Sequence, residues 1–460
     1  MWSLALRYYI RLNEVFKNKY GRDINNYKED IKMLINEHYL DGEDKEQFYP
    51  IWENFDIDVS RKLEEMSNDD LVFFSTFLSS SQKDDLLLFK YYDEAIWVSN
   101  IVGDSDGFLI YNKLLRSFRG ISFNKKYLEL VGTPFDKFAN VGEYGWEENS
   151  LENIIKEFST AKVIEESNKL DGSLQSARWY RNELILTGSG SVCEDNSPPL
   201  KEGFDWLRSN DNYVNMVKDN PNDTHIFEWI SLADAHIVTY TKEDTGLYLI
   251  GIRNSLTGEQ YSYKDVVDRA NHYGVRTTEL YTKTLDELFE DCKKYKSNEK
   301  EGFVVKLDNH FIKIKCDDYV SIVKILKMAS SMNELIRAMF YDSIDDILAK
   351  VPDGHKEFII NRINYIRHYL GCINYIVLKY YNDAPKDTKK DFMVWVQKNV
   401  PKNLMAEVIN EYTGNGHRYL GYVTINRHDE KIECFKKIKD IEIIMKSLNQ
   451  PTLNEYLEKK

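Results

Sequence analysis

The segment Lys169-Leu170-Asp171-Gly172-Ser173 is where residue types and spacing come closest to chemistry. A lysine just after a strand-like run (VIEES), followed by a tight turn, suits a nucleophile held at a strand end. Gly172 permits a backbone angle or a close approach that a side chain would block. To attack an electrophile, the Lys169 amine must be neutral. A free lysine titrates at about 10.4, so burial or nearby cations must lower that value. On its own KxDG is a weak signal, because a surface turn with a solvated lysine is the commoner source of such a tetrapeptide.

An ordered series follows it. Thr224-His225-Ile226-Phe227-Glu228-Trp229-Ile230 puts one carboxylate inside an apolar strand. A buried, unpaired carboxylate is costly, so Glu228 calls for a ligand hydroxyl or a cation; the bland alternative is an edge-strand Glu facing water. Glu301-Gly302-Phe303-Val304-Val305 opens another strand with a carboxylate. In His310-Phe311-Ile312-Lys313-Ile314-Lys315, strand alternation sends Lys313 and Lys315 to one face. Two such charges repel unless an anion lies between them, and a phosphate is the obvious anion. A solvent-facing edge strand, which often carries Lys, is the alternative. Gly188-Ser189-Gly190 lacks Walker or GxGxxG spacing and reads as a turn. The nine His show no HExxH or other metal-ligand spacing.

The elements that must position these residues are α+β, with a predominantly antiparallel sheet. Residues 1–85 read as a helical N-terminal extension, from the apolar spacing in LALRYYIRLNEVFKNKY and YKEDIKMLINEHYL. Asp58-Val59-Ser60 and Ser67-Asn68-Asp69-Asp70 are candidate N-caps there. Residues 86–325 carry strand runs: LLLFKYY, AIWVSN, GFLIYN, GISFN, AKVIEES, SLQSARWY, ELILTGSGSV, HIFEWI, AHIVTYT, GLYLIGIRN, GFVVKL and HFIKIK. Two helices interrupt them, SLENIIKEF near 150–158 and TLDELFEDCKKY near 284–295. Residues 326–460 return to helical spacing and form an all-helical C-terminal domain.

Composition narrows the classes. The 460 residues suit about two or three domains. The formal charge is −14, which argues against a protein coated with nucleic acid by bulk charge but leaves room for a local basic groove. Residues 326–460 hold 21 Lys/Arg against 18 Asp/Glu, a net of +3, so residues 1–325 carry −17. The short run Lys436-Lys437-Ile438-Lys439, beside Arg427 and Lys431, is a candidate basic patch, though such runs are more often solvated helix faces. No apolar run is long enough to span a bilayer, the start lacks the order of a secretory signal, and no membrane association is expected. Cys193, Cys292, Cys316, Cys372 and Cys434 form no CxxC pair and read as free thiols in a reducing cytoplasm. No segment indicates an obligate protein partner.

Together the four segments resemble the covalent nucleotidyltransferase superfamily of ATP-dependent DNA and RNA ligases and mRNA capping enzymes. They correspond to its nucleotidyl-lysine, strand Glu, EG and KxK motifs, in order. The surroundings are similar to the RNA ligase 1 family, founded by the single-strand RNA ligase of T-even bacteriophages. They are Arg116-Ser117-Phe118-Arg119-Gly120-Ile121-Ser122-Phe123, Pro134-Phe135-Asp136-Lys137-Phe138-Ala139-Asn140-Val141-Gly142-Glu143, Leu186-Thr187-Gly188-Ser189-Gly190-Ser191-Val192, Leu249-Ile250-Gly251-Ile252-Arg253-Asn254 and Lys313-Ile314-Lys315-Cys316-Asp317-Asp318-Tyr319-Val320.

The resemblance covers roughly residues 86–325 and implies an adenylyltransferase domain there. It implies Lys169 as the nucleophile that becomes lysyl-AMP, with Asp171 beside it as a catalytic residue and Gly172 as a nucleotide-binding one. Arg119 and Lys137 would contact phosphates of ATP or of an RNA end. Glu228 would hold a ribose hydroxyl, Glu301 would help place Mg2+ or Mn2+, and Lys313 and Lys315 would stabilise the α-phosphate. Tyr91 would be an aromatic of the nucleotide pocket. The cationic site would also explain a neutral Lys169. The implied reaction joins 5′-phosphate and 3′-hydroxyl RNA ends, with tRNA or similar broken RNA as substrate, selected by the helical C-terminal domain. A phage or viral protein in a host cytoplasm would fit. Two positions depart from the family: Ser189 stands where a lysine is expected, and Ala139 where a second aromatic is. DNA ligases and capping enzymes share the core but append a β-rich OB-fold, which the helical pattern after 320 opposes. A non-catalytic homologue is hinted at only by Ser189 and Ala139. A purely helical interaction protein would leave the central motifs unexplained.

Overall fold

A computed structural model of the chain describes residues 2–39, 63, 66–92, 114–143, 146–192, 194–233, 236–330, 334–335, 338–339, 343–402 and 404–413. The strand runs AIWVSN and GFLIYN, the cap at Asp58–Ser60, Cys193, Cys434 and the basic run at 436–439 lie outside the described residues. The chain divides into two units, Met1–Tyr319 and Val320–Lys460.

The first unit is α+β, built on three four-stranded sheets whose pairings are all antiparallel. The first sheet runs β1 (Leu78–Lys83), β2 (Leu86–Tyr91), β3 (Arg119–Asn124), β4 (Glu129–Gly132). The second runs β10 (Leu280–Tyr281), β5 (Ile164–Lys169), β11 (Gly302–Leu307), β12 (His310–Lys315). The third runs β7 (Glu183–Gly188), β6 (Ser173–Tyr180), β8 (Asp223–Ile230), β9 (Gly246–Asn254). Two-residue turns close the β6–β7 and β11–β12 hairpins. Arg181 and Asn182, at φ 49° and 68°, supply the positive angles that the first of these needs.

The N-terminal segment is helical as its spacing indicates. α1 (Leu4–Tyr20) is capped by Ser3, whose side chain accepts from the Leu6 amide, and stops at Gly21 with φ 72°. α2 (Tyr27–Tyr39) follows, and α3 (Asn68–Phe74) opens on a capping box between Ser67 and Asp70. These helices are not a separate appendage. Tyr8, Tyr27, Phe74, Phe89, Phe118 and Phe123 share one apolar core, with ring centroids of interlocking pairs 4.8–6.4 Å apart. The expected boundary at 85/86 falls in the turn of the β1–β2 hairpin, which pairs Lys83 with Leu86. β1 (LSSSQK) was hidden by its polarity: it is an outer strand with one half-buried face.

Helices Leu151–Thr160 and Leu285–Lys294 match their expected spans, capped by Ser150 and Thr284. Helices Pro198–Arg208, Asp211–Asp219 and Tyr263–Tyr273 were not anticipated. They cover one face of the third sheet through Phe204, Leu207, Met216 and Val266. AHIVTYT, expected as a strand, forms none in its described part, residues 236–241.

In the second unit the described elements are helical. Asp353–Asp383, Lys389–Asn399 and Met405–Tyr412 enclose Tyr365, Val377, Phe392, Val396 and Val408, and Ile344–Lys350 packs Ile347 into a second core with Ile359, Ile363 and Ile366. No helix among the described residues is long and apolar enough to cross a membrane.

Phe89 is fully buried between the first sheet and α1–α2, against Tyr8, Tyr27, Phe118 and Phe123. Phe89→Ala should cost about 3–5 kcal/mol, read as a lower urea midpoint at unchanged slope. An unchanged midpoint would mean that the helices and the sheet do not share this core.

Candidate functional site

Lys169 is the last residue of β5, and Leu170-Asp171-Gly172 carry the chain from the second sheet into β6 of the third. In register, Gly302 of β11 stands opposite both Lys169 and Lys315. Glu301, immediately before Gly302, therefore lies between two lysines on flanking strands. Its Oε2 accepts from Lys169 Nζ at 2.8 Å, and its Oε1 is 2.8 Å from Lys315 Nζ. The Glu301 side chain is 4% exposed, against 20% and 24% for its partners. Gly302 has φ 152°, and a Cβ there would collide with the Ile314 carbonyl, so β12 can lie close only because position 302 is glycine.

Gly172 is glycine for want of space. A Cβ would stand 2.5 Å from the Trp229 carbonyl and 2.8 Å from Glu228 Cγ. In return its amide donates to Glu228 Oε1 at 3.0 Å. β8 is an inner strand and buried along its whole length, so the edge-strand alternative for Glu228 is excluded. Burial raises the Glu228 carboxyl to about 7, with Lys169 pulling it down and Glu301 pushing it up.

Asp171, expected to be catalytic, is used as an anchor. One carboxylate oxygen accepts from the Ile237 and Val238 amides at 2.9 and 3.0 Å, and the other accepts from Tyr319 Oη at 2.9 Å. Its own amide donates to Tyr240 Oη. This is why AHIVTYT does not make a strand: its backbone donors are taken by a side chain. Tyr240 is a site neighbour that no sequence signal marked. Its phenol is pushed up by burial, with Asp171, Glu228 and Glu301 adding to the rise.

The remaining cations converge from the first sheet and from the loop after it. Arg119 opens β3, and its guanidinium carbon lies 5.8 Å from the Phe138 ring centre. Lys313 Nζ lies 5.0 Å from the same ring. Lys137 Nζ lies 5.8 Å from the ring of Tyr91, itself buried. Residues 139–141 run beside β12, with the Lys313 amide donating to the Ala139 carbonyl and the Val141 amide to the Lys313 carbonyl. Ala139 is fully buried, so its small side chain packs inward under this pairing. The Ser189 backbone seats on Gly120, where φ is 76° and a Cβ would lie 3.0 Å from the Ser189 carbonyl. The stem of Lys90, paired in register with Arg119, passes Gly190. Lys90 was missed as a site neighbour, being one Lys in an apolar run.

The protonation pattern reverses one expectation. Burial lowers Lys169, but Glu301, Glu228 and Asp171 outweigh it and hold the amine above the ordinary lysine range. The cationic surroundings therefore do not leave Lys169 neutral in this state. The depressed lysine is Lys313: burial first, then Lys137, Arg119 and Lys169, bring it to about 6. Lys315 has a carboxylate partner and Lys313 has none, so the repulsion collects on Lys313.

The carboxylates here do not form a ready-made metal cage. Among the described residues no group of three or more His, Cys, Asp or Glu could hold an ion. A divalent cation would have to arrive with most of its oxygen ligands, the usual habit of Mg2+ bound with substrate phosphates, and Glu301 and Glu228 are the carboxylates in reach of Lys169. Cys292 and Cys316 are buried free thiols behind β12.

The α+β core thus sets the strand-end Lys169 against Glu301, with Arg119, Lys137, Lys313 and Lys315 nearby. Residues 117–320 match the model of the RNA ligase family. Over 217 residues the chain is 27% identical to a protein of Thermovibrio ammonificans provisionally named an RNA ligase, covering 45% of this chain and 52% of that one. Over 253 residues it is 27% identical to a provisionally named bifunctional polynucleotide kinase/RNA ligase of Autographa californica nuclear polyhedrosis virus, covering 51% and 34%. The chain thus spans about half the length of the first relative and about a third of the second. Similar solved structures include a Naegleria gruberi RNA ligase mutant with ATP and Mn, at 16% identity, TM-score 0.31 and coverage of 37% and 54%. Another mutant of that ligase with AMP and Mn gives 17%, 0.33, and 40% and 56%.

Lys313 should titrate near pH 6 in the ligand-free protein, followed by NMR of labelled lysine side chains. Because its neighbours are cations, Arg119→Ala or Lys137→Ala should raise that midpoint. A midpoint near 10 in the wild type would refute the crowding.

Proposed function

We propose that this protein is an ATP-dependent RNA ligase that joins 5′-phosphate and 3′-hydroxyl RNA ends through a lysyl-AMP intermediate. The observation that carries this is the Glu301 bridge between Lys169 and Lys315, beside an uncompensated Lys313. The lysine at the strand end is fixed by its partner, and Lys313 beside it is crowded by cations.

In the first step Lys169 Nζ bonds to the α-phosphorus of ATP and the bond to pyrophosphate breaks. Before attack the amine must lose a proton, and Glu301 Oε2, 2.8 Å away, is the acceptor in reach. Lys315, on the other Glu301 oxygen, and Lys313 face the phosphoryl oxygens whose charge grows as pyrophosphate departs. Arg119 and Lys137 hold the outgoing phosphates. Glu228, fixed by the Gly172 amide, offers a carboxyl to a ribose hydroxyl. A divalent cation bound with the triphosphate would supply further charge neutralisation. The adenylyl group then passes to an RNA 5′-phosphate, and a 3′-hydroxyl oxygen displaces AMP to form the phosphodiester. For residues 326–460 we propose selection of the RNA, with broken tRNA as one substrate and the cytoplasm as the setting.

Lys313 gives the first step a pH signature. Its ammonium attracts phosphate, and bound phosphate in turn favours the ammonium, so nucleotide binding should take up a proton above pH 6. Affinity for ATP should fall as pH rises from about 6, by up to tenfold per unit, and Lys313→Arg should flatten that slope. Proton uptake measured calorimetrically in two buffers checks the sign; proton release would contradict it.

The covalent step is tested with α-labelled ATP and GTP plus magnesium. Label should attach to the wild type from ATP and not GTP, and Lys169→Ala should lose it entirely. Equal labelling of the mutant would sink the nucleophile assignment, and a GTP preference would move the protein to the capping enzymes.

A further inference from the structure

A cavity of about 520 Å³ is lined by Lys137 and Phe138 together with Arg116, Phe135, Trp146 and Phe311. Phe138 also borders the cation cluster: its ring centre lies 5.0 Å from Lys313 Nζ and 5.8 Å from the Arg119 guanidinium carbon. Phe135 and Phe311 continue the wall at centroid distances of 6.1 and 5.7 Å from Phe138. The wall is built rigidly. The Phe135 ring occupies the space a Cβ on Gly251 would need. His310 is held at both ring nitrogens, by Glu157 at 2.8 Å and Asn149 at 3.2 Å. Across the cavity the Arg116 guanidinium lies flat over Trp146, 3.4 Å from the ring centre.

Three cations (Arg116, Lys137, Arg253) and three carboxylates (Asp136, Glu148, Glu259) line the cavity, so with His310 neutral its formal charges cancel. Arg116 pairs with Glu148 at 2.5 Å, and Arg253 with Asp136 at 3.1 Å. A phosphate has little reason to enter, whereas a flat, uncharged, aromatic group does. The side-chain amides of Gln260 and Asn309 also line it and make no hydrogen bond among the described residues. Aromatic and guanidinium planes with free amides at the edge are the means by which single-stranded RNA bases are stacked and read.

We propose that this cavity is a nucleobase subsite, which takes the base of the 5′-terminal nucleotide of the RNA while that nucleotide's phosphate lies against Lys137, Arg119 and Lys313. Lys137 and Phe138 border both places, so one nucleotide spans them. The proposal rests on the ligase assignment, but a binding measurement tests it separately. The base of ATP belongs elsewhere, because its α-phosphate must meet Lys169, beside Glu228 and Gly172.

Binding of the full chain to a fluorescent 5′-phosphorylated single-stranded RNA is compared with the same RNA lacking only its 5′-terminal base. The wild type should bind the abasic strand about tenfold more weakly, the scale of one lost stacking contact. Gln260→Ala/Asn309→Ala should weaken the intact strand several-fold and leave the abasic strand unchanged. The same variant should form lysyl-AMP at the wild-type KM for ATP. Equal affinity of the wild type for both strands overturns the subsite. A raised KM for ATP in the variant also overturns it, by giving the cavity to the nucleotide cofactor. Absence of lysyl-AMP in the wild type counts against the ligase assignment alone, since the anisotropy comparison needs no turnover.

Discussion

Glu301 is the residue on which the site depends. A carboxylate that is 4% exposed is tolerable only if its charge is answered, and here two lysines answer it from opposite sides. The answer is set by strand register, since Gly302 faces Lys169 on one flank and Lys315 on the other. A shift of one residue on either strand would turn that lysine to the other face of the sheet. The backbone contact that permits this spacing is the φ 152° of Gly302 against the Ile314 carbonyl. Lys169, Glu301 and the strand carrying Lys313 and Lys315 are thus one mechanical unit.

With Glu301 shared by two lysines, the other cations are left to one another. Arg119 and Lys137 come from outside the second sheet and add their positive charge to the surroundings of Lys313. The depressed Lys313 and the elevated Lys169 have one cause seen from two sides: the nearest acid is on Lys169 and not on Lys313. Such a site is preorganised for a polyanion, because the repulsion is stored in the folded protein and relieved when phosphate arrives. It also makes the protonation of Lys169 a matter of Glu301 and the other carboxylates beside it rather than of a permanently lowered amine.

The sequence made the strands legible where their apolar pattern was pure, and the site legible where strand ends carried charge: Lys169, Glu228, Glu301, Lys313 and Lys315 all lie at or beside paired strands. Three kinds of feature escaped. Strands with polar outer faces, such as β1, lack the alternation that marks a strand. Apolar runs whose amides are taken by a side chain, as Asp171 takes those of Ile237 and Val238, have strand composition without strand pairing. Charge states depend on through-space neighbours, so the lowered Lys169 amine that the sequence led one to expect is reversed by Glu301, Glu228 and Asp171. The separate N-terminal domain failed for a related reason. Helical periodicity shows that α1 has a buried face, but it does not say that β2 and β3 will cover it with Phe89, Phe118 and Phe123.

The acidic balance of the chain takes on a definite meaning in this light. Beyond roughly 8 Å in physiological salt, surface charges are screened from one another, so a net −14 spread over 460 residues neither recruits nor repels a phosphate at the bottom of a site. What acts there is the local set around Phe138: Lys313 and Arg119, and the paired charges and aromatic walls of the cavity. On the ligase reading proposed above, that contrast would separate two tasks along one strand of RNA: the phosphate would be held by the clustered cations and the base by surfaces whose charges cancel. A protein organised this way would grip an end rather than a length of RNA, and an acidic exterior would work in its favour by weakening attachment everywhere else.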